Sequence, residues 1–480
     1  MKLPSTLKKI ISFILIGTAF FNMAQTAKAD GAPNIVISPL RDTEIENLLQ
    51  DYAKPLLKAA NLDKKNIKVF LVDRPSFNAF TDGENIFIHA GALRETKNPN
   101  ELIGIIAHEI GHISLCHRLH KTEALKKGGA IAIVASTASI AALITGVVKK
   151  NSLYALAGMH ASTGIVHATL LHIISDEKHQ ETSADKVAVS LLTKAKQSGK
   201  GLISTFKLFE KERALNYPYD SKAKYVTYSS HPMPLDRITA IQKEVKASPY
   251  YNKEDPIALQ KRHDMAQAKI IGYYSQNADY INNFYISKKN PLAKDYALAF
   301  FYAKKSPDKA IEILKRLFKA EPKNPFLYEL YAQICLQHEE RDKALQAYEK
   351  MLALEKHPSA SMYFIYSKAL LQQALWNDEN TPKNQKNSVQ KAINLLEKAI
   401  VLEKNNPAYY SYLSTAYQDQ KKDSLAMLAR ANMHYYKGEL SPAYSLAKKA
   451  ALNFKKGSPD YEKAQEIISV IEKMSEDNPS

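Results

Sequence analysis

A mainly α-helical chain is predicted, with an α+β domain built on a small β-sheet and an α-solenoid after it. Three observations predict it. Helical spacing of apolar residues dominates the 480 residues. One region, 67–93, reads instead as strands around an Asp-Gly turn. From about residue 257 onward, helical segments recur with a fixed period. A chain this long divides into two or three domains. Its 45% hydrophobic and 24% charged residues mark it as globular rather than disordered.

The N-terminus comes first. "MKLPSTLKK" carries Lys2, Lys8 and Lys9, "IISFILIGTAFFNMA" is an apolar core, and Ala27-Lys28-Ala29 offers small residues where a signal peptidase reads. Residues 1–29 therefore read as a secretory signal, cleaved before Asp30. An uncleaved anchor helix is the alternative. No cysteine lies near the cleavage site, which excludes a lipoprotein. Cleavage removes four lysines and lowers the net charge from +17 to +13. That charge is spread over Lys-rich helices, which fits solvated faces; peripheral contact with anionic lipid is the alternative, and no nucleic-acid partner is expected. Only two cysteines occur, Cys116 and Cys335, both in apolar helical patterns, so two buried free thiols are expected rather than a disulfide. A secretory signal with so little cysteine suggests the periplasm of a Gram-negative bacterium.

Residues 40–60 show helical spacing, "IKVFLV" (67–72) reads as a strand, and 77–93 reads as an extended segment, a turn at Asp82-Gly83 and a second strand. A helix follows in "NPNELIGIIAHEIGHISLCHRLH" (98–120), with Asn98 as N-cap, Pro99 at the first position and Glu101 completing the cap. Two uncharged runs, 128–148 and 152–175, are each long enough to span a bilayer. They are rich in small residues, and His160, His167 and His172 punctuate the second. A buried helical hairpin or lid over 128–175, touching a membrane or not, is expected; a spanning hairpin is the alternative. Further on, Pro291 and Pro325 are 34 residues apart, as are Ala310 and Ala344. That is the tetratricopeptide period, in which small residues let two antiparallel helices approach closely. Ala392 continues the pattern after an insertion at 376–387, and "ELSPAYSLAKKAA" (439–451) is expected to close the array. The expected domains are 30–255 and a repeat domain, 256–480.

The chemistry concentrates in His108-Glu109-x-x-His112. Histidines four apart project from one helix face, so both imidazoles reach one ion. Glu109 between them points beside the metal, where it takes a proton from bound water and returns it to a leaving amine. A third ligand is needed. Leu115 and Arg118 stand where a metzincin has Gly and His, so that class is excluded; His117 and His120 read as surface residues. The better candidate is Glu181, with Asp185 one helical turn on, placed to orient a ligand histidine. His231-Pro232, followed by Arg237, supplies a loop histidine and a cation.

Taken together, His-Glu-x-x-His, Glu-x-x-Ala-Asp about 70 residues on, and Ser-His-Pro-x-x-x-x-Arg resemble the gluzincin family that includes the HtpX and CAAX-prenyl proteases. The resemblance implies a zincin-type metalloprotease domain over 30–255 holding one Zn2+ per chain. His108, His112 and Glu181 would be its ligands and Glu109 the catalytic residue. His231 would be an extra ligand holding a latent state, and would have to leave before catalysis. Arg237 would support the oxyanion or a ligand. Asn78, Ala79 and Phe80 would form the edge strand on which a substrate backbone pairs. A signal peptide and tetratricopeptide repeats narrow the likeness to periplasmic members that cut and chaperone misfolded or stalled outer-membrane proteins. The partners implied are unfolded or misassembled outer-membrane proteins and, through a concave repeat surface, their assembly machinery. Two rivals remain: a non-proteolytic chaperone or scaffold with a latent zinc site, and a membrane-integrated quality-control protease.

Overall fold

The computed structural model describes residues 40–116, 179–216, 235–288, 290–375 and 385–477. The signal segment, the apolar runs within 128–175, His117, His120, His231 and most of the 376–387 insertion lie outside the described residues. The chain forms two compact units, one spanning Leu48–Gln267 and one joining the segment that ends at Asn47 to everything from Ala268 on. The borders between the units, 47/48 and 267/268, each fall inside a helix.

Helix α1 (Thr43–Ala59) begins where Asp42 Oδ1 accepts from the Ile45 N–H at 3.0 Å. It buries Leu48, Leu49, Tyr52 and Leu56. The sheet follows: β1 (Val69–Val72), β2 (Ala79–Thr81) and β3 (Ile86–His89), in the order β1-β3-β2. β1 runs parallel to β3 and β2 antiparallel to it, so β2 is an edge. The turn stands as expected. Asp82 Oδ1 accepts from the Glu84 and Asn85 N–H groups, and Gly83 takes φ +91°, which its missing Cβ permits. Phe70, Phe87 and Phe80 stack across the three strands at 5.7 and 5.0 Å between rings. The strand expected to reach residue 93 ends at His89, where its last partner, Val72, runs out, and α2 (Ala90–Glu95) takes over.

Helix α3 (Pro99–Ser114) starts on Asn98, whose side chain accepts from the Glu101 N–H at 3.1 Å, while Glu101 Oε2 accepts from the Lys97 N–H at 2.6 Å. It is buried from Pro99 to Ile113. The sequence reading carried this helix to His120, but it ends at Ser114. Leu115 caps it, and Cys116 turns left-handed at φ +53°. That exit places Cys116 in solvent, so of the two thiols only Cys335 is buried. Residues 179–194 form α4, and α5 (Lys200–Asn216), α6 (Leu235–Ala247) and α7 (Ile257–Tyr274) complete this part of the chain.

After α8 (Ala278–Lys288) the helices pair: α9 (Pro291–Lys305) with α10 (Pro307–Ala320), α11 (Pro325–Gln337) with α12 (Arg341–Leu354), and α13 (Ala360–Leu375) with α14 (Gln385–Leu402). α15 (Pro407–Asp419) pairs with α16 (Asp423–Tyr436), and α17 (Leu440–Ala451) with α18 (Pro459–Asp477). The sequence period has a local cause. Pro291, Pro325 and Pro407 open first helices behind Asn290, Asn324 and Asn406, whose side chains accept from backbone N–H groups. Ala310, Ala344 and Ala392, on second helices, are fully buried where a larger side chain would hold the pair apart. The array does not close at 451: α18 follows and buries Ala464, Ile467 and Ile468 against α17.

In this unit the residues before Asn47 are bound by α7, by the first helices α9, α11 and α13, and by Glu403 just after α14. Asp42 meets Lys269 at 2.7 Å, Glu44 accepts from Tyr296 at 2.7 Å, Thr43 bonds Glu329, and Arg41 reaches Ser361 at 3.1 Å and Glu403 at 2.9 Å. Among the described residues no helix is long and apolar enough to cross a membrane.

Candidate metal centre

Two close helix crossings build the site. A Cβ on Gly104 would lie 2.7 Å from the Leu202 backbone nitrogen, so α3 meets α5 nearly backbone to backbone. A Cβ on Gly111 would lie 2.7 Å from the Ala184 carbonyl oxygen, so α4 meets α3 equally closely. Ala184 is three residues from Glu181, and this approach delivers the Glu181 carboxylate to the face of α3 that carries both histidines.

The result is compact. His108 Nε2 and His112 Nε2 lie 3.1 Å apart, and each lies 3.3 Å from an oxygen of Glu181. One ligand atom from each of the three falls within 4.8 Å of the others, and all three residues are buried. Behind them, His108 Nδ1 stands 3.0 Å from Asp185 Oδ1. Arg237, 2% exposed, donates to both oxygens of Asp185 at 2.7 Å and to Glu181 Oε2 at 2.8 Å. Burial opposes charge on Asp185, but the His108 ring and the Arg237 guanidinium outweigh it and hold the carboxyl below its usual range. Burial also opposes a charge on His108, and the Asp185 and Glu181 carboxylates outweigh that in turn, raising its pKa.

The donor set fits a metal ion. Only one proton fits between two imidazole nitrogens 3.1 Å apart, whereas a cation at that corner takes both lone pairs and the carboxylate charge together. Two histidines and a glutamate are a common zinc set that leaves a position for water. Glu109 is 1% exposed and stands on the same helix between the two ligands.

The structure therefore brings together His108, Glu109, His112, Glu181, Asp185 and Arg237. Ala79 and Phe80 lie on β2, a sheet edge that packs against α3; Asn78 just precedes it, its carbonyl accepting from the His89 N–H at 3.0 Å. His231 lies outside the described residues. The sequence reading missed Gly104 and Gly111, because a glycine inside a helix signals nothing until its neighbour is known. It also missed Phe206, which stands edge-on to His108 with ring centroids 6.2 Å apart and lies under the Arg237 guanidinium at 5.4 Å. Phenylalanine at helical spacing reads simply as core.

A buried His-Glu-x-x-His helix with a glutamate ligand from a second helix defines a metallopeptidase. Residues 39–245 match the model of Peptidase family M48. Over 459 residues the chain is 24% identical to the "Beta-barrel assembly-enhancing protease" of Escherichia coli (strain K12), covering 93% of this chain and 86% of that one. The "Putative beta-barrel assembly-enhancing protease" of Vibrio cholerae is 26% identical over 328 residues, covering 65% of this chain and 61% of that one. Among solved structures, the yeast Tom70 aligns over 80% of this chain and 91% of its own, at 14% identity and a TM-score of 0.27. A score that low adds nothing to the helix pairing already described.

Proposed function

We propose that the protein is a periplasmic zinc endopeptidase that hydrolyses misfolded or stalled outer-membrane proteins, with a chaperone or assembly role carried by its repeats. The observation that carries the peptidase reading is the convergence of His108, His112 and Glu181 beside Glu109 on one buried helix. The signal-like N-terminus and the near full-length likeness to a protease named for β-barrel assembly support the location and the client class.

His108, His112 and Glu181 would hold one zinc ion per chain. Bound there, zinc lowers the pKa of a coordinated water to about 7. Glu109 would take a proton from the attacking water and return it to the departing amine. Asp185 fixes the His108 ring through Nδ1 so that Nε2 faces the site. Arg237 ties Asp185 and Glu181 into one arrangement, which supports a ligand rather than reaching the reacting atoms. The edge strand Ala79–Thr81, paired with β3 on one side, is where an extended substrate would add as a further strand. His231 is assigned the latent ligand that yields to water.

The test is cleavage of an unfolded outer-membrane protein by residues 30–480, comparing wild type, Glu109→Gln and His231→Ala with and without a chelator. Loss of cutting in Glu109→Gln and on chelation, with a gain in His231→Ala, is expected. No cutting by any variant, with client aggregation still suppressed, would make the protein a chaperone with a silent site.

A further inference from the structure

The repeat unit holds a short acidic segment of its own chain, and that contact shows what its helices can bind. Lys269, buried on α7, meets Asp42 at 2.7 Å and Glu44 at 3.6 Å, and its ammonium lies over the Phe300 ring at 5.1 Å. A lysine set beside an aromatic ring thus takes the acids of a chain segment laid against it. The same unit carries a second lysine in such a place. Lys368 stands on α13, seven residues past Ser361, whose hydroxyl accepts from Arg41 at 3.1 Å. Seven residues are nearly two full turns, so both side chains leave the helix within about 20° of each other. Between them Phe364 and Ile365, both half-buried, share this face. Phe364 reaches the next first helix, α15, edge-on to Tyr412 at 5.2 Å and tilted against Tyr409 at 5.0 Å between ring centroids.

Lys368 differs from Lys269 in one respect. It is half-buried, yet no carboxylate among the described residues pairs with it, and burial alone pushes its amine below the usual lysine range. The sequence leading up to Arg41 supplies no acid either, since residues 31–40 contain none. A cation drawn out of water without a counter-charge costs stability, and a carboxylate brought to it by a binding partner removes that cost. We propose that this face of α13 and α15 binds an extended segment of a partner protein, with a carboxylate on Lys368 and an apolar side chain against Phe364 and Ile365. The occupant is a protein segment because a protein segment is what Lys269 holds in the same unit. One helical turn, about 5.4 Å, separates Phe364 from Lys368, and an extended chain advances about 3.3 Å per residue. The acid and the apolar residue therefore stand one or two places apart in the partner. This rests on the assembly role proposed for the repeats and gives it a partner chemistry; it does not depend on the peptidase role.

The test uses residues 30–480 carrying Glu109→Gln, so that no probe is cut, and two rhodamine-labelled, amidated peptides read by fluorescence anisotropy. One is Ser-Ser-Phe-Ala-Glu-Ser-Ser, and the other has Gln in place of Glu. The Glu peptide is expected to bind about tenfold tighter, the weight of one charge-assisted hydrogen bond. Lys368→Met keeps the length of the side chain without its charge and should erase the difference, while Lys368→Arg should retain most of it. Lys368→Gln serves if the methionine variant does not fold. Equal affinity for the two peptides, or a preference for Glu that survives in the uncharged variants, overturns the assignment. Binding of neither peptide overturns it as well. If the chain then still suppresses aggregation of an unfolded client, the assembly role stands without this site; if it does not, both fall.

Discussion

Gly111 sets the distance between the ligand helices, and Gly111→Ala tests that directly. The new Cβ would sit 2.7 Å from the Ala184 carbonyl oxygen and 3.1 Å from its Cα. Both are backbone atoms and cannot swing aside, so α4 must move away by about 0.7 Å or more to restore ordinary contact. Alanine's better helix propensity returns about 1 kcal/mol, while overpacking costs about 1–3 kcal/mol, so global stability should fall by no more than about 2 kcal/mol. Metal binding is less forgiving. Zinc–ligand distances tolerate about 0.2 Å, and Glu181 rides on α4. A 10–100-fold loss of zinc affinity is expected, on the order of that seen when outer partners of metal ligands are removed. Competition against a chromophoric chelator reads the affinity, and urea denaturation of the metal-free protein reads the stability. Gly104→Ala is the comparison. It meets the Leu202 backbone at the same distance but bears on α5, which supplies no ligand, so it should cost stability with little change in zinc affinity. If Gly111→Ala binds zinc as tightly as wild type while Gly104→Ala does not, the argument that this crossing places Glu181 is wrong.

Arg237→Lys keeps the charge but loses the fork that holds Asp185 twice and Glu181 once. It should weaken zinc affinity about tenfold and raise the pKa of Asp185, measurable by chelator competition and by NMR titration of the metal-free protein; unchanged values in both would show the fork to be dispensable. Glu44 is expected to give the repeat unit a pH-dependent stability. Burial pushes its carboxyl up to about 7, with Asp42 and Glu329 adding to the rise while Lys269 and the Tyr296 hydroxyl oppose it. A folded pKa above the unfolded one means that the stabilising contribution is complete below about pH 4.5 and is lost as pH rises through about 7. The span is about 3 kcal/mol. Glu44→Gln should flatten that part of the urea-midpoint curve against pH, and an unchanged slope would place the titration elsewhere.

Much of the fold was legible because its causes are local. Asn-Pro pairs at 290–291, 324–325 and 406–407 both cap and start helices, so the repeat spacing is written in the residues that terminate each turn. The Asp82-Gly83 turn and the Asn98 cap stood for the same reason. What misled were features without a local signature. The end of α3 at Ser114 has no Gly or Pro to announce it, and the apolar letters beyond it looked like continuation. Helix α18 has no Asn-Pro start or repeat-period alanine to announce it, and its apolar residues Ala464, Ile467 and Ile468 are defined by the helices they pack on.

The metal site divides along the same line. By itself the sequence determined the two histidines and Glu109, because a one-turn spacing fixes their common face whatever surrounds the helix. It nominated Glu181, Asp185 and Arg237 by pattern. Their convergence, with Glu181 3.3 Å from both imidazoles and Arg237 bridging the two acids, was decided by tertiary structure. So was the part played by Gly111. The physical reason is distance. Ligands more than sixty residues apart meet only where two backbones can touch, and whether they can depends on the absence of a single Cβ at a position that carries no chemistry of its own.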